Sequence, residues 1–551
     1  MKYLWPMLML GAAQADPLPG ILPVVPEPTE VESLPRVEAQ GAASDAPATV
    51  LVDPLQGIRL RDGGSGDWKA IGEGVVASAG MTIPSPATLA ARLQPYLGRP
   101  LTDQDLVGMG DEILVHYDLE GYPVVLVSAP EQDFSDGWLL IDVEIGRTGR
   151  VGVGRPKYGN PEAVRNGLKL RQGQLLERAD LEEQLAWYGR TGFRRPRLFV
   201  SPGVEPATAD ILIGIEERRP WQASVGFENS GPDLIGRERL VFGAAGMLPN
   251  EHLLAWRGVV GFPASSLTAN AVRWEVPLQR SHQVIQIDAA YAEVSTSYPF
   301  RGRVLETEGT SWSLAVMDRW ILPKVHGWEQ TLSAGVDIKG TDQFLLYGGL
   351  AAAAPGEVMM IDARLVHHLE RDWEKAGVEI TSTLKVSPGN LGGRNGDAAF
   401  RKYDPAADAT YVIGNLDLDA WWQPVDDWRL VGRINVQATD SRLLPPEQLG
   451  AGGYQTVRGV DERMYSMDNG IIGSLELQSP VLTFIPRCDF RLLAFTDQAS
   501  LHDDGGSSVS LGSVGVGLRA RIFDHVDLRF DHGWRLDDDE QRSHIGLTVS
   551  F

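Results

Sequence analysis

The residues whose types and spacing suggest chemistry lie late in the chain. Gly452-Gly453-Tyr454-Gln455-Thr456-Val457-Arg458-Gly459-Val460-Asp461-Glu462-Arg463 flanks one arginine with glycines, and Phe495-Thr496-Asp497 offers a carboxylate roughly forty positions on. A guanidinium and a carboxylate can pair by charge-assisted, bidentate hydrogen bonds. That is a chemistry of holding and switching, not of bond making. The sequence carries no Gly-Lys-Ser/Thr phosphate loop, no His-Glu-x-x-His metal site and no Gly-x-Ser-x-Gly elbow. His367 and His368 are adjacent, and neighbours on a strand project to opposite faces, which argues against a shared metal. No catalytic residue, cofactor or metal ligand is expected, and the chain is read as a non-enzyme. Cys488 is the single cysteine, so there is no intrachain disulfide framework, and it is assigned no chemistry.

The elements that must position the arginine and the aspartate repeat with period two. Trp221, Ala223, Val225 and Phe227 alternate with polar or small residues, as do Val272 to Leu278, Ile285 to Tyr291, Leu332 to Ile338 and Trp428 to Val436. Such alternation predicts strands with one apolar face. Near the end, Val514 to Ile522, Val526 to Phe530 and Ile545 to Phe551 continue it, with Asp537-Asp538-Asp539-Glu540 as a solvated turn.

The chain ends limit the choice between a soluble sandwich and a membrane barrel. Residues 1–15 combine one lysine, an apolar run and Ala13-Gln14-Ala15, which reads as a secretory signal peptide cleaved before Asp16. No later stretch approaches the roughly 18 consecutive apolar residues of a spanning helix. Lipid leaves only helices and closed barrels as spanning structures, so the mature chain is expected either to float in an exported compartment or to span a membrane as a barrel. A mean hydropathy of −0.14 fits strands that hide polar residues in a lumen. The net charge of −23 argues against nucleic acid as a partner. Fifteen tryptophans supply enough aromatic side chains for girdles at two bilayer interfaces. From Trp221 to Phe551 there is room for about 16 antiparallel strands of roughly 10 residues each with their turns.

Residues 16–56 contain eight prolines and read as a linker without fixed structure. From 57 to 220 two similar α+β units are expected, at 57–148 and 149–220. The first has helical spacing over Leu89 to Leu97, a cap at Leu101 to Leu106 leading into a second helix ending near Tyr117, and strands at Val124 to Val127 and Leu139 to Val143. The second has helices over Pro161 to Leu168 and Glu177 to Tyr188, then strands Arg197 to Val200 and Ile211 to Ile215.

Two such units, joined to a barrel that carries Val457-Arg458-Gly459 and Phe495-x-Asp497 and ends in an aromatic, resemble the TpsB-type two-partner secretion transporters of the haemolysin secretion/activation class. Asp468-Asn469-Gly470 and Glu476-Leu477-Gln478-Ser479-Pro480 add to the likeness, whereas Val460 and Ala499 depart from the family pattern. The resemblance implies an all-β transmembrane barrel at 221–551, preceded by two POTRA domains in the periplasm of a Gram-negative bacterium. It implies a lumen loop with Val457, Arg458 and Gly459, a wall partner motif with Phe495 and Asp497, and Phe551 as the C-terminal signal read by the barrel assembly machinery. It also implies a function: an unfolded exoprotein of TpsA type is recognised by the POTRA domains and leaves through the barrel, which sits in outer-membrane lipid. A barrel assembly factor of the BamA or TamA kind is the alternative. It usually carries three or more POTRA domains, and the roughly 164 residues from Gly57 to Pro220 hold two. A plain porin lacks such periplasmic units altogether.

Overall fold

The computed structural model describes residues 49–551 apart from 63–66, 234, 263–265, 301–302, 348–349, 354–355, 426 and 505. The expected signal peptide and most of the proline-rich linker therefore lie outside the described residues. The chain divides into two units, one holding most of the described residues up to Glu217 and the other Arg218–Phe551.

Among the described residues the N-terminal unit contains two larger sheets and one two-stranded sheet. The first has five strands in the order Trp68–Gly72, Val75–Ser78, Gly57–Arg61, Trp138–Ile145, Val125–Ser128. Helices Pro86–Leu93 and Asp103–Leu119 contribute Leu89, Met109 and Ile113 to a core shared with Ile58, Leu60 and Leu139 of the strands. The longer helix opens with a capping box, in which the Thr102 hydroxyl accepts from the Asp105 amide at 3.1 Å and the Asp105 carboxylate accepts from the Thr102 amide at 2.9 Å. Partial burial pushes the Asp105 carboxyl up, but hydrogen bonds from Arg99 and Thr102 outweigh it and hold it below the usual carboxylate value. The second sheet has the order Arg147–Val153, Thr208–Glu217, Arg194–Pro202, with helices Pro161–Asn166 and Arg178–Gly189. Trp187, Tyr188, Ile211 and Ile213 are buried there.

Local details differ from the sequence reading for physical reasons. The first helix yields to a 3-10 turn at Gln94–Tyr96, where Pro95 cannot donate a helical hydrogen bond. The stretch read as linker is ordered at its end: Val50–Val52 pairs with Leu101–Thr102, and Leu55 is wholly buried. The hairpin Trp68–Ser78 was not anticipated, because its strands are short and contain Gly72 and Lys69. The expected boundary at 148/149 falls inside the strand Arg147–Val153.

The second unit is a closed antiparallel barrel of sixteen long strands among the described residues, from Trp221–Glu228 to Gln541–Ser550, with two short additions at Leu350–Ala353 and Leu482–Ile485. The last strand closes on the first with Ser224 opposite Ser550 and Glu228 opposite Gly546. Phe551 follows, its amide donating to the Ala223 carbonyl at 2.8 Å while its ring stays exposed. Strand parity sorts the side chains: Val272, Trp274, Val316, Val336, Leu475 and Leu477 face outward and are exposed, whereas Arg273, Glu275, Asp337, Lys339 and Glu476 turn into the lumen. An apolar exterior with a polar interior is the arrangement a barrel in lipid requires. Tight turns such as Val325 to Trp328, Trp373 to Ala376 and Ile522 to Val526 lie at the end where Trp221 begins and Ser550 finishes. Exposed Trp221, Trp373, Trp422, Trp428, Phe484 and Phe523 crowd that same end. The longer connections, including one with the helix Asp397–Tyr403, are at the other end.

Candidate functional site: a loop latched inside the barrel

The connection between strands Trp428–Thr439 and Asn469–Gln478 returns into the lumen. Its two short strands, Leu449–Ala451 and Tyr465–Met467, pair with each other and with no barrel strand among the described residues. Between them the chain reverses through Gly452, Gly453 and Gly459, all at positive φ. The Gly453 amide donates to the Val457 carbonyl at 2.9 Å, and the Thr456 hydroxyl bridges back to Gly452. This turn presents Val457 and Arg458 to the wall.

Arg458 is 4% exposed and its partners come from three strands. Its Nε and Nη2 donate to the two oxygens of Asp497, each at 2.8 Å, and its backbone amide adds a third bond to Asp497 at 3.0 Å. Nη1 donates to Glu476 at 2.8 Å and lies 3.6 Å from Asp531, and Nη2 also reaches the Ser474 hydroxyl at 3.2 Å. The guanidinium lies over the Phe495 ring, 3.5 Å from its centroid. Arg519 and Arg529 also bind Asp531, so three guanidiniums meet the three carboxylates of Asp497, Glu476 and Asp531. The charges balance in a water-poor site, where an unbalanced one would be costly.

The wall is shaped to admit the loop. Phe495 faces Gly515 in register, and Gly515 faces Gly533. A Cβ on Gly533 would sit 2.7 Å from the Arg458 carbonyl oxygen and the Gly459 nitrogen. The phenylalanine ring and the loop backbone thus occupy space that the two glycines leave open. Val460 and Ala499, the two departures from the family pattern, fall in one small buried cluster with Val457, Leu501 and Leu511.

Sequence reasoning missed part of the site. Strand parity places Glu476 on the lumen face beside Ser474 and could have found it, and the same holds for Asp531. Nothing marked the second fastening of the loop. Glu447 accepts from Lys339 at 2.5 Å and from Lys385 at 2.7 Å, on strands Trp328–Tyr347 and Ala376–Pro388. Further on, Tyr454 stacks under Arg529, whose Nη2 donates to the Tyr454 carbonyl at 2.6 Å, and Arg542 binds Asp461 at 2.9 Å. The loop is held from several sides of the lumen at once. Cavities of about 750 Å³ and 740 Å³ lie beside the loop, and Tyr454 lines both.

Residues 75–146 match the POTRA domain family, ShlB-type, and residues 369–520 match the haemolysin secretion/activation protein family ShlB/FhaC/HecB. The chain is 22% identical over 447 residues to the outer membrane transporter CdiB of Dickeya dadantii strain 3937, covering 77% of this chain and 76% of that protein. It is 24% identical over 501 residues to CdiB of Escherichia coli O6:K15:H31, covering 83% and 78%. Among solved structures, CdiB from Escherichia coli superposes with a TM-score of 0.73 at 17% identity, over 95% of this chain and 94% of that one. CdiB from Acinetobacter baumannii gives 0.67 at 13% identity, over 99% of each.

Proposed function

We propose that this chain is a TpsB-type two-partner secretion transporter, an outer-membrane protein with periplasmic POTRA domains, and that it exports one unfolded β-rich exoprotein through the barrel lumen. The recognising part comprises the two POTRA domains, the first ending before the strand Arg147–Val153 and the second beginning with it, the pore is 221–551, and a leader at 1–15 and a proline-rich linker precede them. Edge strands Val125–Ser128 and Arg194–Pro202 leave backbone groups open to β-augmentation, a mode that binds an extended chain with little demand on its sequence. Phe551 serves the assembly machinery that delivers the barrel to lipid.

One observation carries this reading. The loop that fills the lumen is fastened by side chains and shares no strand ladder with the wall among the described residues. Moving it aside costs latches, not barrel pairing, and joins the two cavities into a path. Val457, Arg458 and Gly459 form the movable half of the principal latch, and Phe495 and Asp497 the fixed half. With no nucleotide motif in the sequence, folding of the cargo outside supplies the drive.

Deleting the gene tests the proposal. Loss of one exoprotein from the medium, with other outer-membrane proteins at normal levels, is expected. A general fall of outer-membrane proteins would instead identify an assembly factor.

A further inference from the structure

The cavity of about 750 Å³ lies between the loop tip at Tyr454 and the end of the barrel bearing Gln222 and Ser550. That end adjoins the periplasmic domains in sequence, so the cavity opens at the periplasmic mouth. Six arginines line it: Arg257, Arg429, Arg491, Arg519, Arg521 and Arg529. Their arrangement sets them apart from the rest of the wall. Arg491 is the register partner of Arg519, and Arg519 is the partner of Arg529, so three guanidinium-bearing residues sit directly opposite one another on neighbouring strands. The next row toward the mouth, Asp489, Arg521 and Asp527, alternates in sign. Directly opposed like charges destabilise a sheet unless an anion lies between them.

Arg519 and Arg529 share Asp531 behind them, and Arg521 has Asp527. The other three have no carboxylate within ion-pair distance among the described residues. Arg491 has only the amide oxygen of Gln478, at 3.4 Å. Arg257 and Arg429 each keep a buried Nε with no hydrogen-bond partner. Buried donors without acceptors are costly, and guanidinium forks match carboxylates. Gly226, Gly243, Ala245 and Gly546 leave the facing wall without bulk.

We propose that this arginine belt is a binding site for the carboxylate side chains of an extended polypeptide, the first contact of an exported chain inside the barrel. The inference rests on the export reading for its occupant. The volume, many times that of a single small anion, and the position directly beneath the Tyr454 latch favour a chain over a free ion.

The test uses the full-length protein in lipid nanodiscs and a labelled ten-residue peptide alternating glutamate with glycine, its lysine counterpart as control, and fluorescence anisotropy as readout. The acidic peptide is expected to bind and the basic one not. Arg257→Gln with Arg429→Gln and Arg491→Gln should weaken binding about tenfold or more and flatten its salt dependence, while lysine at the same three positions retains most of it. Barrel integrity is checked by heat-modifiable gel mobility, and if the triple glutamine form fails to assemble, Arg491→Gln alone is measured. Equal affinity for the two peptides, or unchanged affinity in the glutamine variant, overturns the proposal. So does displacement of the peptide by free glutamate at equal carboxylate concentration, which would mark a small-anion site. No cargo enters this assay, so failure of the export reading would show only in the gene deletion.

Discussion

The lumen loop is fastened on two sides, and the two fastenings are built differently. At Arg458 a planar guanidinium is enclosed by Asp497, Glu476, Ser474 and Phe495, and both Arg458 and Asp497 are almost wholly buried. At Glu447 the carboxylate is buried, but its partners Lys339 and Lys385 remain partly exposed. The first fastening has fixed geometry and little water; the second joins one buried charge to two flexible chains that can reach solvent. Breaking the first strands a charge in low dielectric, whereas breaking the second lets its lysines hydrate. The Arg458 latch should therefore set whether the loop is in place, and the Glu447 latch should set how tightly its far end is held.

The stronger fastening gives the largest expected effect. Asp497→Ala leaves Arg458 facing Glu476 and Asp531 without its principal partner and should cost about 3–5 kcal/mol of loop docking. Hydrogen–deuterium exchange over 449–467 should then rise strongly while the barrel strands stay protected. Gly533→Ala tests the same latch without touching a charge. Its methyl group collides with the Arg458 carbonyl and the Gly459 nitrogen, so the loop should be expelled nearly as far as in Asp497→Ala. Normal protection in that variant would show that the wall glycine is not needed for docking. Glu447→Gln keeps a hydrogen-bonding group and removes one charge, so about 2 kcal/mol is expected, with increased exchange at 443–451 and little change at 457–459. Equal effects of Asp497→Ala and Glu447→Gln would show that the two fastenings hold the loop alike.

The smallest effect is expected outside the barrel. Asp105→Asn weakens the capping box of the helix Asp103–Leu119 and should cost about 1 kcal/mol, seen as faster exchange in its first turn. Because the folded carboxyl of Asp105 is held below its ordinary value, its contribution is complete above the normal carboxylate range and is lost as pH falls through the lowered value. The difference between wild type and variant should therefore close in acid.

How legible these features were depends on the range of the signal. Period-two alternation comes from neighbours one and two residues apart, so outward Val272 and Trp274 and inward Arg273 could be read directly. The barrel's strand number followed from length. Arg458 and Asp497 are 39 residues apart, and a glycine-flanked arginine with a Phe-x-Asp partner is distinctive enough to be recognised. Glu447 and Lys339 are 108 residues apart, and both are ordinary charged residues among many lumen-facing ones. Nothing local tells a latch lysine from a solvated one. The arginine belt was hidden for the same reason, since Arg491, Arg519 and Arg529 become neighbours only when three strands take their register. The hairpin Trp68–Ser78 was missed because its strands are too short to show a period.

On the export reading, the Arg458 latch serves export and does not merely hold the barrel together. The most direct test is the amount of exoprotein in the medium from cells carrying Arg458→Ala, compared with wild type at equal outer-membrane levels of the transporter. Export is expected to be lost while the variant remains in the outer membrane as a heat-modifiable barrel. Normal export from that variant would contradict it, and disappearance of the barrel itself would reduce Arg458 to a structural residue.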